Sequence, residues 1–226
     1  MYTQSFHKYL DRFGDYQITK ITVCRVPISK AIMTLLNISS RNEFQKNLKK
    51  TPYDKLYHLF LKIEINDRDF ILEKNEVLSL TLNGSSIKSE SLEIPIGNDL
   101  TLVEMLDKTK KKMGDKFFSY KAQDNNCQYF AQSFLAANNL SSSETKEFIM
   151  QDVSFLFDQD VKFRKLVNSI TGIGKEISES KVIADVIKKV PVLKEVRHGL
   201  KKVGHGLKKV EPVFNALASK FAKINF

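Results

Sequence analysis

Cysteine is scarce in this sequence, and long apolar runs are lacking. The 226 residues contain only Cys24 and Cys127, which cannot build a disulfide framework or a four-thiolate zinc site. The nearest approach to a membrane span is residues 31–36, far shorter than the roughly 18 residues that a span needs. The first 17 residues also lack the basic-then-apolar order of a secretion signal. We therefore expect a soluble protein of a reducing, intracellular compartment, with two free thiols, no metal and no cofactor.

Positive charge is concentrated towards the C-terminal end. The chain has a formal net charge of +10. Residues 175–226 hold 12 Lys or Arg and 5 Asp or Glu, so this tail carries +7 and the other 174 residues carry only +3. A basic segment of this kind indicates an anionic partner, which would be a membrane surface, a nucleic acid or an acidic protein. The alternative interpretation is a solvated helix face rich in lysine.

Hydrophobic periodicity predicts a mixture of strands and helices, and therefore an α+β fold. Alternation and short apolar runs predict strands at residues 17–26, 56–65, 69–80 and 92–96, the middle two forming a hairpin. Apolar spacing with start and stop signals predicts helices at residues 27–39, 40–50, 102–113, 127–138 and 161–170. A capping box of Ser141 and Glu144 predicts one more helix, with an apolar stripe that reaches Leu156.

Cys127 is a candidate nucleophile because it stands at the predicted start of a helix. The two residues before it, Asn125 and Asn126, are of a type that caps helices. The unpaired N–H groups and the dipole of a helix N-terminus favour negative charge, which lowers a thiol pKa and can stabilise an oxyanion. Cys127 also falls on the apolar face of this helix, so the alternative interpretation is a small core residue.

A thiol nucleophile generally needs a nearby histidine as its base. Of the four histidines, His7 lies in a polar leader, and His198 and His205 lie in the tail. His58 is the one that falls within a predicted core element, the strand at 56–65. We therefore take His58 as the candidate base, the alternative being a core histidine whose hydrogen bonds are satisfied.

The stretch SYKAQDNNCQYFAQSFLAANN resembles the nucleophile segment of circularly permuted papain-fold proteins. These include lecithin:retinol acyltransferase-like proteins and permuted relatives of NlpC-type peptidases, in which a strand carries the histidine first. A helix and a tyrosine-containing approach follow, and Asn-Cys-x-x-Phe then opens a second helix. The same order runs here from His58 through residues 102–113 and Tyr120 to Cys127.

The resemblance covers roughly residues 54–139, and it implies a permuted papain-like (NlpC-like) domain with an antiparallel sheet. The segments LAANNL and EFIMQD are also similar to proteins of large DNA viruses and related mobile elements. On these patterns the chain divides into an N-terminal strand and helices packed on the core (1–53), the papain-like core (54–140), a helical extension (141–174) and the basic tail (175–226).

One departure from that family concerns the third catalytic residue. Lipid-acting members carry a second histidine on the return strand of the hairpin, and this sequence has none there. Counting back across the turn places Asn75 near His58, and an amide that orients the imidazole suits a thiolate–imidazolium pair. Glu73 stays open as the alternative orienter, because a shift of the hairpin register by about two residues would bring it to His58 instead. A further alternative is that both are polar residues of an exposed strand face.

These residues predict a cysteine-dependent hydrolase or acyltransferase that works through an acyl-enzyme at Cys127. His58 would be the base, Asn75 the orienter and the N–H of Cys127 an oxyanion donor. The substrate would be a peptide or isopeptide amide, or a lipid ester, although the missing second histidine disfavours lipid. The rival prediction is a non-enzymatic scaffold of the same fold whose tail binds or disrupts membranes or drives assembly. Nucleic-acid binding ranks last.

The tail has a heptad period of its own. Apolar residues recur at alternating steps of three and four over 25 positions, which are Leu200, Val203, Leu207, Val210, Phe214, Leu217, Phe221 and Ile224. Lysines occupy the positions between them, whereas Gly204, Gly206 and Pro212 disfavour a rigid coiled coil. A basic amphipathic segment of this kind is typical of helices that lie on anionic lipid, and the same seam also permits self-association.

We therefore expect a peptide of residues 181–226 to be largely unstructured in dilute buffer and to become helical on vesicles that contain anionic lipid. Binding should weaken as salt rises, because the attraction is electrostatic. Circular dichroism with and without vesicles, beside sedimentation equilibrium, measures both. A salt-stable helical oligomer that ignores vesicles would make the tail an assembly module instead.

Overall fold

A computed structural model describes residues 1–28, 33, 36–37, 40, 42–83, 88–97, 99–152 and 156. Within them the chain is an α+β protein with a five-stranded antiparallel sheet, as the periodicity predicted. Most of the helix predicted at 27–39, the helix predicted at 161–170 and the whole basic tail lie outside the described residues. The described part belongs to one unit of the chain, Met1–Gly172.

The sheet has the strand order β4-β3-β2-β1-β5. Its strands are β1 (Ile18–Pro27), β2 (Tyr57–Ile65), β3 (Arg68–Lys74), β4 (Leu78–Leu82) and β5 (Glu90–Ile94). β1 pairs with β2 over its whole length and with the edge strand β5 on its other side. The N-terminal 53 residues therefore supply β1, which is an inner strand of the same sheet that carries His58.

Two tight reversals organise the β2–β3–β4 segment. Asn66 and Asp67 have φ of 52° and 56°, the left-handed conformation that a two-residue hairpin turn requires and that Asn and Asp tolerate. The prediction of one return strand over 69–80 is wrong, because the chain reverses again at residues 75–77. There the N–H of Asn75 donates to the carbonyl of Val77 at 2.9 Å, and β4 then pairs with β3.

The helices are α1 (Gln4–Phe13), α2 (Glu43–Leu48), α3 (Leu102–Met113), α4 (Cys127–Ala137) and α5 (Ser143–Ile149), and a 3₁₀ turn spans Gly114–Phe117. The predicted bounds of α3 are confirmed. α1 is a helix rather than a polar leader because Phe6 and Phe13 bury one of its faces. The capping box of α5 is Ser142 with Thr145, one residue later than predicted, and the helix ends at Ile149.

Alternate residues of the strands face the main core. Leu61, Ile63 and Phe70 point to the side that α1, α3 and α4 cover, so the helices and this face of the sheet bury one another's apolar surface. Cys24 and Phe60, which are partners in the β1–β2 ladder, are buried outside this main cluster.

α5 is tied to the sheet by an arginine between two aromatic rings. The guanidinium of Arg25 lies 4.5 Å from the ring centroid of Tyr57 and 4.2 Å from that of Phe148. It also donates to the carbonyl of Phe148 at 2.9 Å and pairs with Glu90. The C-terminal end of α5 is therefore held beside the start of β2.

No helix among the described residues is long and apolar enough to cross a membrane.

Gly14, the residue after α1, packs tightly against Leu10 and Val103, and we expect Gly14→Ala to destabilise the fold. A Cβ there would lie 2.5 Å from the carbonyl oxygen of Leu10 and 2.7 Å from Cγ2 of Val103. Overpacking of this kind costs about 1–3 kcal/mol of unfolding free energy. Urea denaturation measures the loss. Gly97→Ala is the matched control, because a Cβ at Gly97 meets nothing within 4 Å, and equal losses at the two sites would contradict the packing argument.

Candidate active site

Cys127 is the first residue of α4, as predicted, and asparagine side chains build the approach to it. Asn126 caps the helix, its Oδ1 accepting the N–H groups of Gln128 at 3.0 Å and Tyr129 at 3.1 Å. Its Nδ2 donates to the carbonyl of Ala122 at 2.8 Å. Because the cap binds the second and third N–H groups of the helix, the N–H of Cys127 itself makes no hydrogen bond within the described residues.

Asn125 fixes the turn that leads into this cap. Its Nδ2 donates to the carbonyl oxygens of Lys116 and Ser119, both at 2.9 Å. Backbone hydrogen bonds in both directions also join Lys121 and Asn125. The sequence Asn125-Asn126 is therefore used twice, once for the loop and once for the helix, and Cys127 is placed by both.

α4 begins beside an edge of β2 that β3 leaves open. The β2–β3 ladder runs from Ile65 opposite Arg68 to Leu61 opposite Leu72 and ends there. Leu59 lies on the same edge as Leu61, since the N–H groups of alternate residues in a strand point the same way. With no β3 partner, the N–H of Leu59 donates to the sulfur of Cys127.

His58 joins the thiol to a buried carboxylate. The imidazole forms a hydrogen bond with the Cys127 thiol, and its Nε2 lies 2.6 Å from Oε1 of Glu73. Nδ1 is therefore the ring nitrogen left for the sulfur. Asn75 donates from Nδ2 to the same Oε1 of Glu73 at 2.9 Å, so the carboxylate is held from both sides.

The three ionisable groups set one another's charge. Burial opposes the imidazolium, but the thiolate of Cys127 and the carboxylate of Glu73 favour it and raise the pKa of His58 to about 10. Burial also opposes the thiolate, yet His58 and the N–H of Leu59 outweigh that effect, and the repulsion from Glu73, and lower the pKa of Cys127. The imidazolium of His58 therefore favours the thiolate of Cys127, and the carboxylate of Glu73 favours the imidazolium.

The site is reached from the side of the imidazole. The side chain of His58 is 21% exposed, whereas that of Glu73 is 9% exposed and Cys127 as a residue is 7% exposed. A reagent therefore meets the base and the edge of the thiol, while the carboxylate stays behind them. Low solvent content strengthens each electrostatic interaction in the group.

The two candidate orienters have different places. Glu73, the alternative, contacts the imidazole, and Asn75, the preferred choice, contacts Glu73 instead. The Oδ1 of Asn75 is buried and has no hydrogen-bond partner among the described residues, so it does not accept a hydrogen bond from His58. The reversal at residues 75–77 explains the difference, because Asn75 belongs to that turn and not to β3.

Lys74 lies between them and points to the opposite face. It follows Leu72 on the core side of β3 and is paired with Leu78 of β4. Its Nζ is buried and has no hydrogen-bond partner in the part of the chain that the structure describes. Burial lowers the pKa of Lys74 to about 8.

Two glutamines that the sequence reading missed close the open edge of β2. Gln151 accepts the N–H of Tyr57 at 3.0 Å and donates from Nε2 to the carbonyl of Lys55 at 2.8 Å. Gln128, the neighbour of Cys127, accepts the N–H of Gln151 at 2.9 Å and donates to Tyr57 O at 3.5 Å. Gln128 stands at a polar position next to a candidate nucleophile, which is a usable signal, but nothing in the sequence near Gln151 indicates its contact with β2.

The remaining candidates are not brought to this site. His7 lies on α1, with its ring against Tyr2 at 5.4 Å, and Cys24 lies on β1 outside the main core. His198 and His205 lie outside the described residues. In the described ranges no three His, Cys, Asp or Glu side chains gather as a metal site would.

The chain matches no family model, no curated protein and no solved structure.

We expect Cys127 to react with iodoacetamide at pH 6 much faster than Cys24. An ordinary thiol is only roughly 0.3% ionised at that pH, whereas the pKa of Cys127 is lowered by His58 and Leu59. The two residues are 7% and 4% exposed, so a difference in rate reports ionisation rather than access. Mass spectrometry of the alkylated peptides over a pH series measures both rates in one sample.

His58→Ala should bring the two alkylation rates together, because the thiolate then loses its counter-ion. The reactivity of Cys127 in that variant should rise only in alkaline buffer. Equal rates for Cys24 and Cys127 in the native wild type would remove the case for an activated nucleophile.

Proposed function

We propose that the protein is a cysteine-dependent hydrolase or acyltransferase in which Cys127 is the nucleophile and His58 the general base and acid. Glu73, rather than Asn75, orients the imidazole, and Asn75 acts through Glu73. The observation that carries the proposal is the hydrogen-bonded line from Cys127 through His58 to the buried Glu73. Nucleophile, base and orienter in mutual contact are the geometric signature of covalent acyl transfer.

The chemistry follows from the position of each proton. The thiolate of Cys127 attacks the carbonyl carbon of the substrate, and the carbonyl electron pair moves to the oxygen. The N–H of Cys127 at the start of α4 is free to bind this oxyanion. As the intermediate collapses, the imidazolium of His58 gives its proton to the leaving amine or alcohol, and an acyl-thioester remains.

The second half of the reaction reverses these roles. His58, now neutral, takes a proton from water or from an acceptor hydroxyl or amine, which attacks the thioester carbon. Cys127 leaves as the thiolate, and the imidazolium is restored beside Glu73. Glu73 keeps its charge throughout and favours the imidazolium in both steps.

The order of elements supports a permuted papain-like arrangement for the same residues. His58 comes first on β2, the β2–β3 hairpin supplies Glu73, α3 follows, and Cys127 opens α4. The helix that carries the thiol packs on the strand that carries the histidine. The sheet is antiparallel throughout its named strands, as such a domain would have.

The substrate we propose is an amide, either peptide or isopeptide, or a lipid ester. The basic tail, through residues 181–226, would bring the enzyme to anionic membrane, where either class of substrate can reside. The same heptad seam provides for self-association. A nucleic-acid partner is less favoured, because the apolar residues of the tail are mainly aliphatic and offer few rings for bases to stack on.

We expect Cys127→Ala to lower kcat/KM by at least roughly 10³-fold on a panel of fluorogenic peptide amides and acyl esters. The fold should persist, because alanine is smaller than cysteine and favours helix. Cys24→Ala is the matched control, since it removes the other buried thiol and should leave kcat/KM unchanged. Full activity in Cys127→Ala on a substrate that the wild type turns over would refute the mechanism.

The orienters should give a graded response in the same assay. Glu73→Gln should lower kcat/KM by roughly 10²-fold or more and move the alkaline limb of the pH profile to lower pH. The direction follows because Glu73 raises the pKa of His58, and a neutral amide no longer does so. Asn75→Ala should cost less, since it removes a hydrogen bond to Glu73 and no charge.

A further inference from the structure

Strand β2 has backbone groups without a strand partner at the point where it meets Cys127. In an antiparallel strand the N–H and C=O of one residue point to the same edge, and those of Tyr57 and Leu59 point away from β1. β3 does not reach them, because its ladder with β2 ends at Leu61 and Leu72. Buried backbone groups left without partners cost free energy, so this edge needs other partners.

Side chains from two distant parts of the chain provide those partners. Tyr57 donates its N–H to Oε1 of Gln151, and its carbonyl accepts from Gln128. Leu59 donates to Cys127. Three points along one strand edge are thus bound by the first turn of α4 and by the residues that follow α5.

The two glutamines also bind each other. The N–H of Gln151 donates to Oε1 of Gln128 at 2.9 Å, and Nε2 of Gln128 lies 3.4 Å from Oε1 of Gln151. Both side chains are buried. The N–H of the next residue, Asp152, donates to the hydroxyl of Tyr53 at 3.1 Å, so the residue that follows Gln151 is anchored as well.

We propose that Gln128 and Gln151 form a latch that positions His58 against Cys127. His58 lies between Tyr57 and Leu59, and Gln128 follows Cys127 directly, so the latch joins the two chain segments that carry base and nucleophile. Gln151, which lies beyond α5, is in consequence part of the active site, although its contacts are with β2 and Gln128 and not with a reacting atom. The inference rests on the proposed function for its chemical effect, but its structural half stands separately.

The test compares Gln151→Met with Gln132→Met in the full-length protein. Methionine has nearly the volume of glutamine but cannot replace its hydrogen bonds. Gln132 lies one turn beyond Gln128 on α4 and binds Ser141 at 2.7 Å, away from β2, so Gln132→Met controls for the loss of a glutamine amide that does not reach β2. Gln128→Met tests the latch from its other half.

The first readout is native-state hydrogen exchange at the amides of Tyr57 and Leu59. We expect faster exchange at both in Gln151→Met and Gln128→Met, and wild-type exchange in Gln132→Met. The second readout is the pH dependence of Cys127 alkylation. Its acid limb should move to higher pH in the two latch variants, with a rate loss at pH 6 on the order of 10²-fold, the scale expected for misplacement of about 1 Å.

Further arms separate positioning from simple stability. The double variant should lose little more than either single variant, because the two side chains act through each other. Gln151→Glu keeps the acceptor for Tyr57 and should restore part of the low-pH reactivity. Variants that melt earlier but keep the wild-type alkylation profile would overturn the latch, as would unchanged exchange at Tyr57 and Leu59.

Failure of the proposed function gives a different pattern. An unreactive Cys127 in the wild type, with slow exchange at Tyr57 and Leu59, would refute the activated thiol. The exchange data of the variants would still decide whether the two glutamines hold the edge of β2. A low-pH alkylation profile unaffected by either glutamine would instead support the nucleophile and refute the latch.

Discussion

β3 parts from β2 after Leu72, and the site is built in the opening. If the β2–β3 ladder continued to the end of β2, backbone hydrogen bonds would satisfy the edge of β2 and leave no room for a helix there. Here the reversal at residues 75–77 ends β3 early. The edge that is exposed takes its partners from the start of α4, and the thiol becomes one of them. The missing stretch of the β2–β3 ladder therefore decides where the Cys127 thiol lies and which backbone group donates to it.

The charges inside the opening depend on one another. An isolated buried carboxylate, imidazolium or thiolate is costly, and each would lose its charge if it stood alone. Glu73 has His58 and Asn75 as partners, and His58 has Cys127 and Glu73. Because each group stabilises the charged form of its neighbour, removal of one member alters the ionisation of the others. The same mutual dependence lowers the pKa of the Cys127 thiol in a place that water reaches poorly.

Local patterns predicted much of this arrangement, and contacts between distant segments account for what they missed. α3, the Asn-capped start of α4, the strand that carries His58 and its hairpin turn are each encoded within about ten neighbouring residues. The choice between Glu73 and Asn75 depended on where β3 ends, which a short turn decides. α1 was missed because its polar residues outnumber the two phenylalanines that bury it. Gln151 was missed because its partners, Tyr57 and Lys55, lie more than 90 positions away, where no periodicity connects them.

Glu73 and Lys74 are neighbours in sequence with opposite charge, and the pleat of β3 sends them to opposite faces. A slip of the β3 register by a single residue would exchange them. His58 would then face an ammonium group instead of a carboxylate, and the core would receive the carboxylate. The misregistered chain would thus place like charge beside the imidazolium and bury an anion among aliphatic side chains. The alignment that buries the correct side chains of the hairpin is therefore also the alignment that gives the candidate site its polarity.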